Sequence, residues 1–273
     1  MRRLESLLAN INSHRWLTSI VGIVGAGLTL SACNIPAFGA YHGSTLQGHD
    51  TFKLWQGFMI IALIVGVIVW GLILWSSFRY RIKPSKSRPN NPDSSDSRDS
   101  ENSLPRQFQY HLPLEILYTV LPILIVAVMF YFTVVTENEV DAVSANPAVR
   151  IYLTAFQWGW RFNYTGEGVS VVGNYNHYPQ AVLPVGETVQ ITLVSSDVVH
   201  GFYVPAFNFS RYAQPGVTNV FDLNIRKQGI YNGRCTEFCG LYHTEMIFSI
   251  KAVSPTAYHA WLSKQQSKTR TKS

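Results

Sequence analysis

The chain has 273 residues, is 47% hydrophobic and only 14% charged, and carries a formal net charge of +6. A charged fraction so far below the ~25% usual for soluble domains points to membrane-spanning segments. The positive surplus does not mark a nucleic-acid binder: between Glu137 and Lys264 nine acids balance eight bases, and the excess sits at the N-terminus, in one internal loop and in the terminal KTRTKS.

Residues 1–32 read as a signal peptide. Arg2, Arg3 and Arg15 precede the apolar LTSIVGIVGAGLTLSAC, which ends in small residues. The ending LSAC resembles a lipoprotein cleavage box, which would make Cys33 the lipidated new N-terminus; the alternative is an uncleaved anchor with a bystander cysteine. Residues 33–55 follow as an extracytoplasmic segment. Residues 56–78, QGFMIIALIVGVIVWGLILWSSF, carry no charge and are long enough for a ~30 Å hydrocarbon core, with Trp55 and Trp75 suited to its interfaces. Residues 79–113 are rich in Ser, Pro, Asn and charge, which predicts a partly disordered loop. Arg79, Arg81, Lys83, Lys86 and Arg88 crowd its start, so the loop is expected in the cytoplasm. Residues 114–135, LEILYTVLPILIVAVMFYFTVV, form a second expected span, with Pro122 as a kink point. Everything beyond it then lies outside the plasma membrane, whether or not the signal is cleaved.

Residues 138–265 read as a β domain. In ETVQITLVSS, Val189, Ile191 and Leu193 alternate onto one face, and VRIYLTAF, TNVFDLNI, GIYNGRC and MIFSIKAV are further short runs separated by Gly and Pro turns. This pattern predicts an antiparallel all-β sandwich. Ser254 as N-cap and Pro255 at the first helical position predict a short closing helix, followed by a basic tail over residues 266–273.

The chemistry concentrates in CTEFCGLYHTEM, where Cys235, Cys239, His243 and Met246 fall within twelve positions. Outside the cytoplasm a cysteine pair can simply be a disulfide. The flanking imidazole and thioether argue instead for a soft metal ion, copper above all; zinc accepts Cys and His, but Met is a poor zinc ligand. A single-copper electron-transfer site uses one thiolate, so a second thiolate allows two bridged ions. The second imidazole is expected from His200, at the end of the alternating strand in SSDVVHGFYVP. His177 and His259 read as surface histidines.

The pattern CxExCGxxHxxM downstream of DVVHxxxVP resembles the binuclear copper A site of cytochrome c oxidase subunit II, the electron-accepting subunit of aa3-type heme-copper oxidases. The resemblance extends over most of the chain: two spanning helices, the basic loop, QWGW and the copper domain. AFQWGW and FNFSRYAQPGV are most similar to Gram-positive-type members. The resemblance implies a cupredoxin-like Greek-key sandwich. It implies that Cys235 and Cys239 bridge two copper ions, that His200 and Met246 complete one and His243 the other, and that Glu237 ligates through its backbone carbonyl. Hemes are implied on a partner subunit.

The same resemblance assigns further roles. Trp158 would take electrons from cytochrome c, with Trp160 supporting; from the residues alone, both could be core or interface aromatics. Glu115 would stand at the mouth of a proton path into subunit I, against the plainer reading of an interfacial anchor. The Glu237 side chain would share a magnesium or manganese ion with subunit I, although Tyr212 and Val217 stand where many members have Asp and Arg. Asp197 matches an acidic docking position for cytochrome c, while Asn163 replaces another. A near-neutral domain steers a basic soluble cytochrome weakly, so the donor is expected to be tethered or held in a supercomplex with the bc complex. Expected partners are oxidase subunits I and III, cytochrome c and membrane lipid.

Quinol-oxidase relatives share the architecture but lack the copper ligands, all six of which are present here. Copper-delivery proteins lack the Met and the second span. Nitrous oxide reductase lacks these helices, and a copper A-containing nitric oxide reductase subunit remains an alternative.

Overall fold

A computed structural model describes residues 37–81 and 109–270. The expected signal segment with Cys33, the interior of the basic loop and the last three positions lie outside the described residues. Two long apolar runs become helices: α1, Leu46–Arg79, and α2, Leu112–Val140. Both are long and apolar enough to cross a membrane. At 1.5 Å per residue, α1 is ~50 Å long, well beyond what its apolar run needs. Its first turns precede that run and pack into the β domain, with Gly48 and Phe52 buried.

The start of α2 is a reciprocal cap. The His111 imidazole Nδ1 accepts from the Leu114 N–H at 3.4 Å, and the Glu115 carboxylate accepts from the His111 N–H at 3.0 Å. Two otherwise orphaned backbone donors are thereby satisfied. Pro113 sits in the first turn, where no intrahelical donor is missed, and Pro122 lies within the helix.

The described residues divide into two units, one holding the helices within 53–142 and a β domain made of residues 37–52 and 143–270. Among the described residues the β domain has ten strands: β1 Val149–Phe156, β2 Gly159–Tyr164, β3 Val169–Asn174, β4 Gln180–Pro184, β5 Thr188–Ser195, β6 His200–Val204, β7 Phe209–Ala213, β8 Asn219–Asn224, β9 Gly229–Arg234 and β10 Ile247–Val253. They form two five-stranded sheets, ordered β3-β2-β1-β5-β8 and β4-β10-β9-β6-β7. The expectation of a purely antiparallel sandwich needs correction: β1 pairs with β5, and β4 with β10, in parallel. The period-two alternation seen in Val189, Ile191 and Leu193 is the same for either direction, so it could not distinguish them.

The core is aromatic. Trp160, Phe162, Phe202, Phe221 and Phe248 are at most 1% exposed. The Trp160 and Phe248 rings meet edge-on at 5.1 Å, and Phe202 stacks on Phe248 at 5.0 Å. Such rings bury large apolar areas and add specific ring contacts.

The residues just before α1 strap onto this domain. Thr45, fully buried, caps α1 by accepting from the Gly48 N–H at 3.0 Å and donates to the Phe207 carbonyl at 3.3 Å. Ser44 exchanges backbone bonds with Ala206 and Arg226, both at 2.8 Å. Helix α3, Pro255–Arg270, closes the domain; Ser254 caps it, with its hydroxyl accepting from the Ala257 N–H at 3.3 Å. It is longer than the sequence predicted, and residues 266–270, expected in the tail, are helical.

Candidate metal centre

Strands β9 and β10 are antiparallel neighbours, with Arg234 opposite Ile247. The segment 235–246 therefore leaves and re-enters the sheet at adjacent points as one closed loop. Cys235 N–H donates to the Met246 carbonyl at 3.1 Å and pins its base. Five of the six expected donors lie on this loop. The sixth, His200, opens β6, which lies beside β9 in the sheet. Gly201 permits this approach: a Cβ there would stand 2.2 Å from Thr236 Oγ1, and the Thr236 N–H donates to the Gly201 carbonyl at 3.2 Å.

The donors converge on a sulfur pair. Cys235 Sγ and Cys239 Sγ are 3.8 Å apart, unlinked and buried. His200 Nδ1 lies 3.8 Å from Cys235 Sγ, and His243 Nδ1 lies 3.5 Å from Cys239 Sγ. Met246 Sδ is 3.8 Å from Cys239 Sγ, and the Glu237 carbonyl is 3.3 Å from Cys235 Sγ. His200, Cys235 and Cys239 each present a ligand atom within 4.8 Å of the others, and all three are buried. The cluster is compatible with copper: thiolate, imidazole and thioether are donors for a soft ion, and six donors exceed the four of a tetrahedral zinc.

A carboxylate stands behind the first imidazole. Asp197 Oδ1 meets His200 Nε2 at 2.8 Å, which leaves Nδ1 free to face the sulfur, and Asp197 Oδ2 accepts from the Gln157 N–H at 2.7 Å. Partial burial opposes the charge on Asp197, but the bonds from His200, Gln157 and Val198 outweigh it and hold the carboxyl below its usual range. Burial likewise opposes a charged His200, and the neighbouring Cys235 and Asp197 outweigh it, raising its pKa. For Cys235, burial is overcome by the bonds from His200 and the Gly201 N–H, which bring the thiol down to about 7. Burial and the adjacent Cys235 sulfur push Cys239 up to about 12. Two sulfurs this close cannot both carry charge unless a cation lies between them.

The β1–β2 hairpin delivers QWGW to the loop. Gln157 and Trp158 form its two-residue tip. Gln157 Nε2 and the indole Nε1–H of Trp158 both donate to the Cys239 carbonyl, at 2.7 and 3.1 Å. Trp160, the second residue of β2, is fully buried and donates to the Met246 carbonyl at 3.3 Å. The structure thus separates the two tryptophans, one half-buried at the loop and one in the core.

His177 lies in the turn after β3, and His259 lies on α3 against Tyr258; neither joins the cluster. Tyr212 and Val217 are each 51% exposed. Four contributors were not singled out in the sequence: Gln157, Gly201, Tyr175 and Tyr242. Gln157 belongs to the QWGW motif, but its partner is 82 positions away, so no local pattern could reveal it.

A family model for the periplasmic domain of cytochrome c oxidase subunit II matches residues 174–253. The cytochrome c oxidase subunit 2 of Mycobacterium tuberculosis strain H37Rv is 32% identical over 306 residues, covering 89% of this chain and 80% of its own length. That of Corynebacterium glutamicum is 29% identical over 308 residues, covering 89% of this chain and 83% of its own. Among solved structures, the periplasmic domain of cytochrome oxidase subunit II from Bradyrhizobium japonicum aligns with 46% of this chain and 99% of its own, at 26% identity and a TM-score of 0.41. With two apolar helices ahead of a cupredoxin-like β domain, and with copper-compatible donors in place, the chain belongs to the cytochrome c oxidase subunit II family.

Proposed function

We propose that this chain is the electron-accepting subunit of a terminal oxidase. It would take electrons one at a time from cytochrome c at a binuclear copper A centre and pass them to the hemes and heme-copper site of subunit I, coupled to proton translocation. The observation that carries this reading is the convergence of four further donor atoms on a buried sulfur pair 3.8 Å apart. When bound, a copper pair supplies a one-electron relay with no position open to substrate.

The chain's own residues prepare that relay. Cys235, Cys239, His200, His243 and Met246 would hold the ions through their side chains, and Glu237 through its backbone carbonyl. Asp197 fixes the tautomer of His200, burial keeps water from the sulfurs, and the rigid sheet limits rearrangement between oxidation states. Trp158 is assigned as the point of electron uptake because its indole bonds directly to the carbonyl of Cys239. Glu115 is assigned to the mouth of a proton path, a role it would combine with capping α2. The Glu237 side chain is assigned to a magnesium or manganese ion shared with subunit I.

The two helices would span the plasma membrane with the basic loop in the cytoplasm, the copper domain outside and Cys33 as a lipid anchor. Subunits I and III are the assigned partners. The nearly neutral copper domain favours a cytochrome c that is tethered or held in a bc supercomplex.

Copper analysis and electron paramagnetic resonance of the full chain in detergent test the proposal. Two coppers per chain with a mixed-valence spectrum are expected. One copper with a blue-copper spectrum, or none, overturns it. Cytochrome c-dependent oxygen uptake by the assembled complex separates this function from nitric oxide reduction.

A further inference from the structure

The turn between β3 and β4 touches the ligand loop on both sides of His243. Tyr175 lies flat on Tyr242, with ring centroids 4.1 Å apart and planes within 1°. Tyr178 donates its hydroxyl to Glu245 Oε2 at 2.8 Å. Tyr242 in turn stands edge-on to Trp158 at 5.0 Å, and the Tyr175 N–H donates to the Trp158 carbonyl at 3.0 Å. The backbone at Gly240 closes the remaining side: a Cβ there would lie 3.2 Å from Trp158 Cζ2.

We infer that Tyr175 and Tyr242 are positioning residues: their stack clamps the ligand loop at His243 and holds the Trp158 indole against the Cys239 carbonyl. The Tyr178–Glu245 bond is exposed to solvent and contributes little. The ring stack is half-buried and contributes most. Without it, Tyr242 loses its support, the backbone carrying His243 loosens, and the edge contact on Trp158 is lost. The part concerning Trp158 rests on its assignment as the electron-uptake residue; the part concerning the loop does not.

The test uses the full chain in detergent for structure and the assembled oxidase for electron transfer. Backbone deuterium exchange over residues 239–246 should rise about two- to ten-fold in Tyr175→Ala, the range set by one aromatic pair. Tyr175→Phe keeps the ring and should restore wild-type exchange. Electron uptake from reduced cytochrome c should slow in Tyr175→Ala and recover in Tyr175→Phe. The inference is overturned if Tyr175→Ala leaves the loop's exchange unchanged, or if Tyr175→Phe behaves like Tyr175→Ala. If Trp158→Phe leaves electron uptake unchanged while Tyr175→Ala still loosens the loop, the role of Trp158 falls and the clamp on the ligand loop stands.

Discussion

Asp197 is the residue for which motif and structure make opposite predictions. By resemblance it is a docking acid, which should point toward cytochrome c. In the structure its carboxylate is turned inward, bonded to His200 at 2.8 Å and to the Gln157 N–H at 2.7 Å. Asp197→Ala removes both of these and the bond from the Val198 N–H at 2.7 Å. A hydrogen bond to a charged group contributes ~1.5–3 kcal/mol. The side chain is 29% exposed, so solvent screening places the loss near the lower end, about 1.5 kcal/mol. That corresponds to about a ten-fold loss of copper affinity, within the range found when an outer-shell partner of a ligating histidine is removed. Asp197→Asn, which keeps a neutral acceptor, should fall between the two. Chelator competition on the full chain gives the affinity, and the KM for cytochrome c measured across ionic strength gives the docking contribution. If Asp197→Ala changes copper affinity by less than about two-fold and shifts only KM, the positioning argument is refuted.

Three further outcomes are expected. Tyr164 is buried; its hydroxyl accepts from the Val182 N–H at 2.8 Å and donates to the Val182 carbonyl at 2.9 Å, so Tyr164→Phe should destabilise the domain by ~2 kcal/mol, read by thermal unfolding. Burial raises the pKa of Tyr164, and burial with the nearby Glu167 and Glu187 brings Tyr258 to about 12. Folded-state values above the unfolded ~10 mean that this stability is complete below about pH 10 and is lost as pH rises toward the folded values; a melting temperature flat across that range would contradict the assignment. At Gly48, a Cβ would lie 1.7 Å from the Phe207 carbonyl oxygen. Gly48→Ala should therefore unseat the strap at a cost of about 3 kcal/mol and expose residues 37–45 to limited proteolysis, whereas unchanged cleavage would show that the strap is not held there.

The convergence of the candidate donors was legible because most of it is local. Cys235, Glu237, Cys239, His243 and Met246 share one loop between adjacent strands, so short spacing alone brings their donors together. His200 was legible as the end of an alternating run, but its approach depends on β6 lying next to β9. The two helices were readable as long apolar runs; the extra turns of α1 were not, because the polar residues after Leu46 become helical through contact with the β domain. VRIYLTAF and IFSIKAV were readable as strands, while their parallel pairings with β5 and β4 were not.

Residue chemistry, hydrophobic run length and short spacing thus account for the two long apolar helices, the sandwich and a donor set suited to a soft metal. These are properties of neighbouring residues, and any fold that buries the chain's apolar faces must respect them. Which groups stand behind the ligands is another matter. Asp197 behind His200, Tyr175 on Tyr242, Trp158 on the Cys239 carbonyl and Thr45 beneath Phe207 join elements that are mostly distant in the chain or meet only through a turn. Those contacts exist only once strand order and sheet stacking are complete, because loop closure between distant residues follows the whole fold and leaves no local pattern to read.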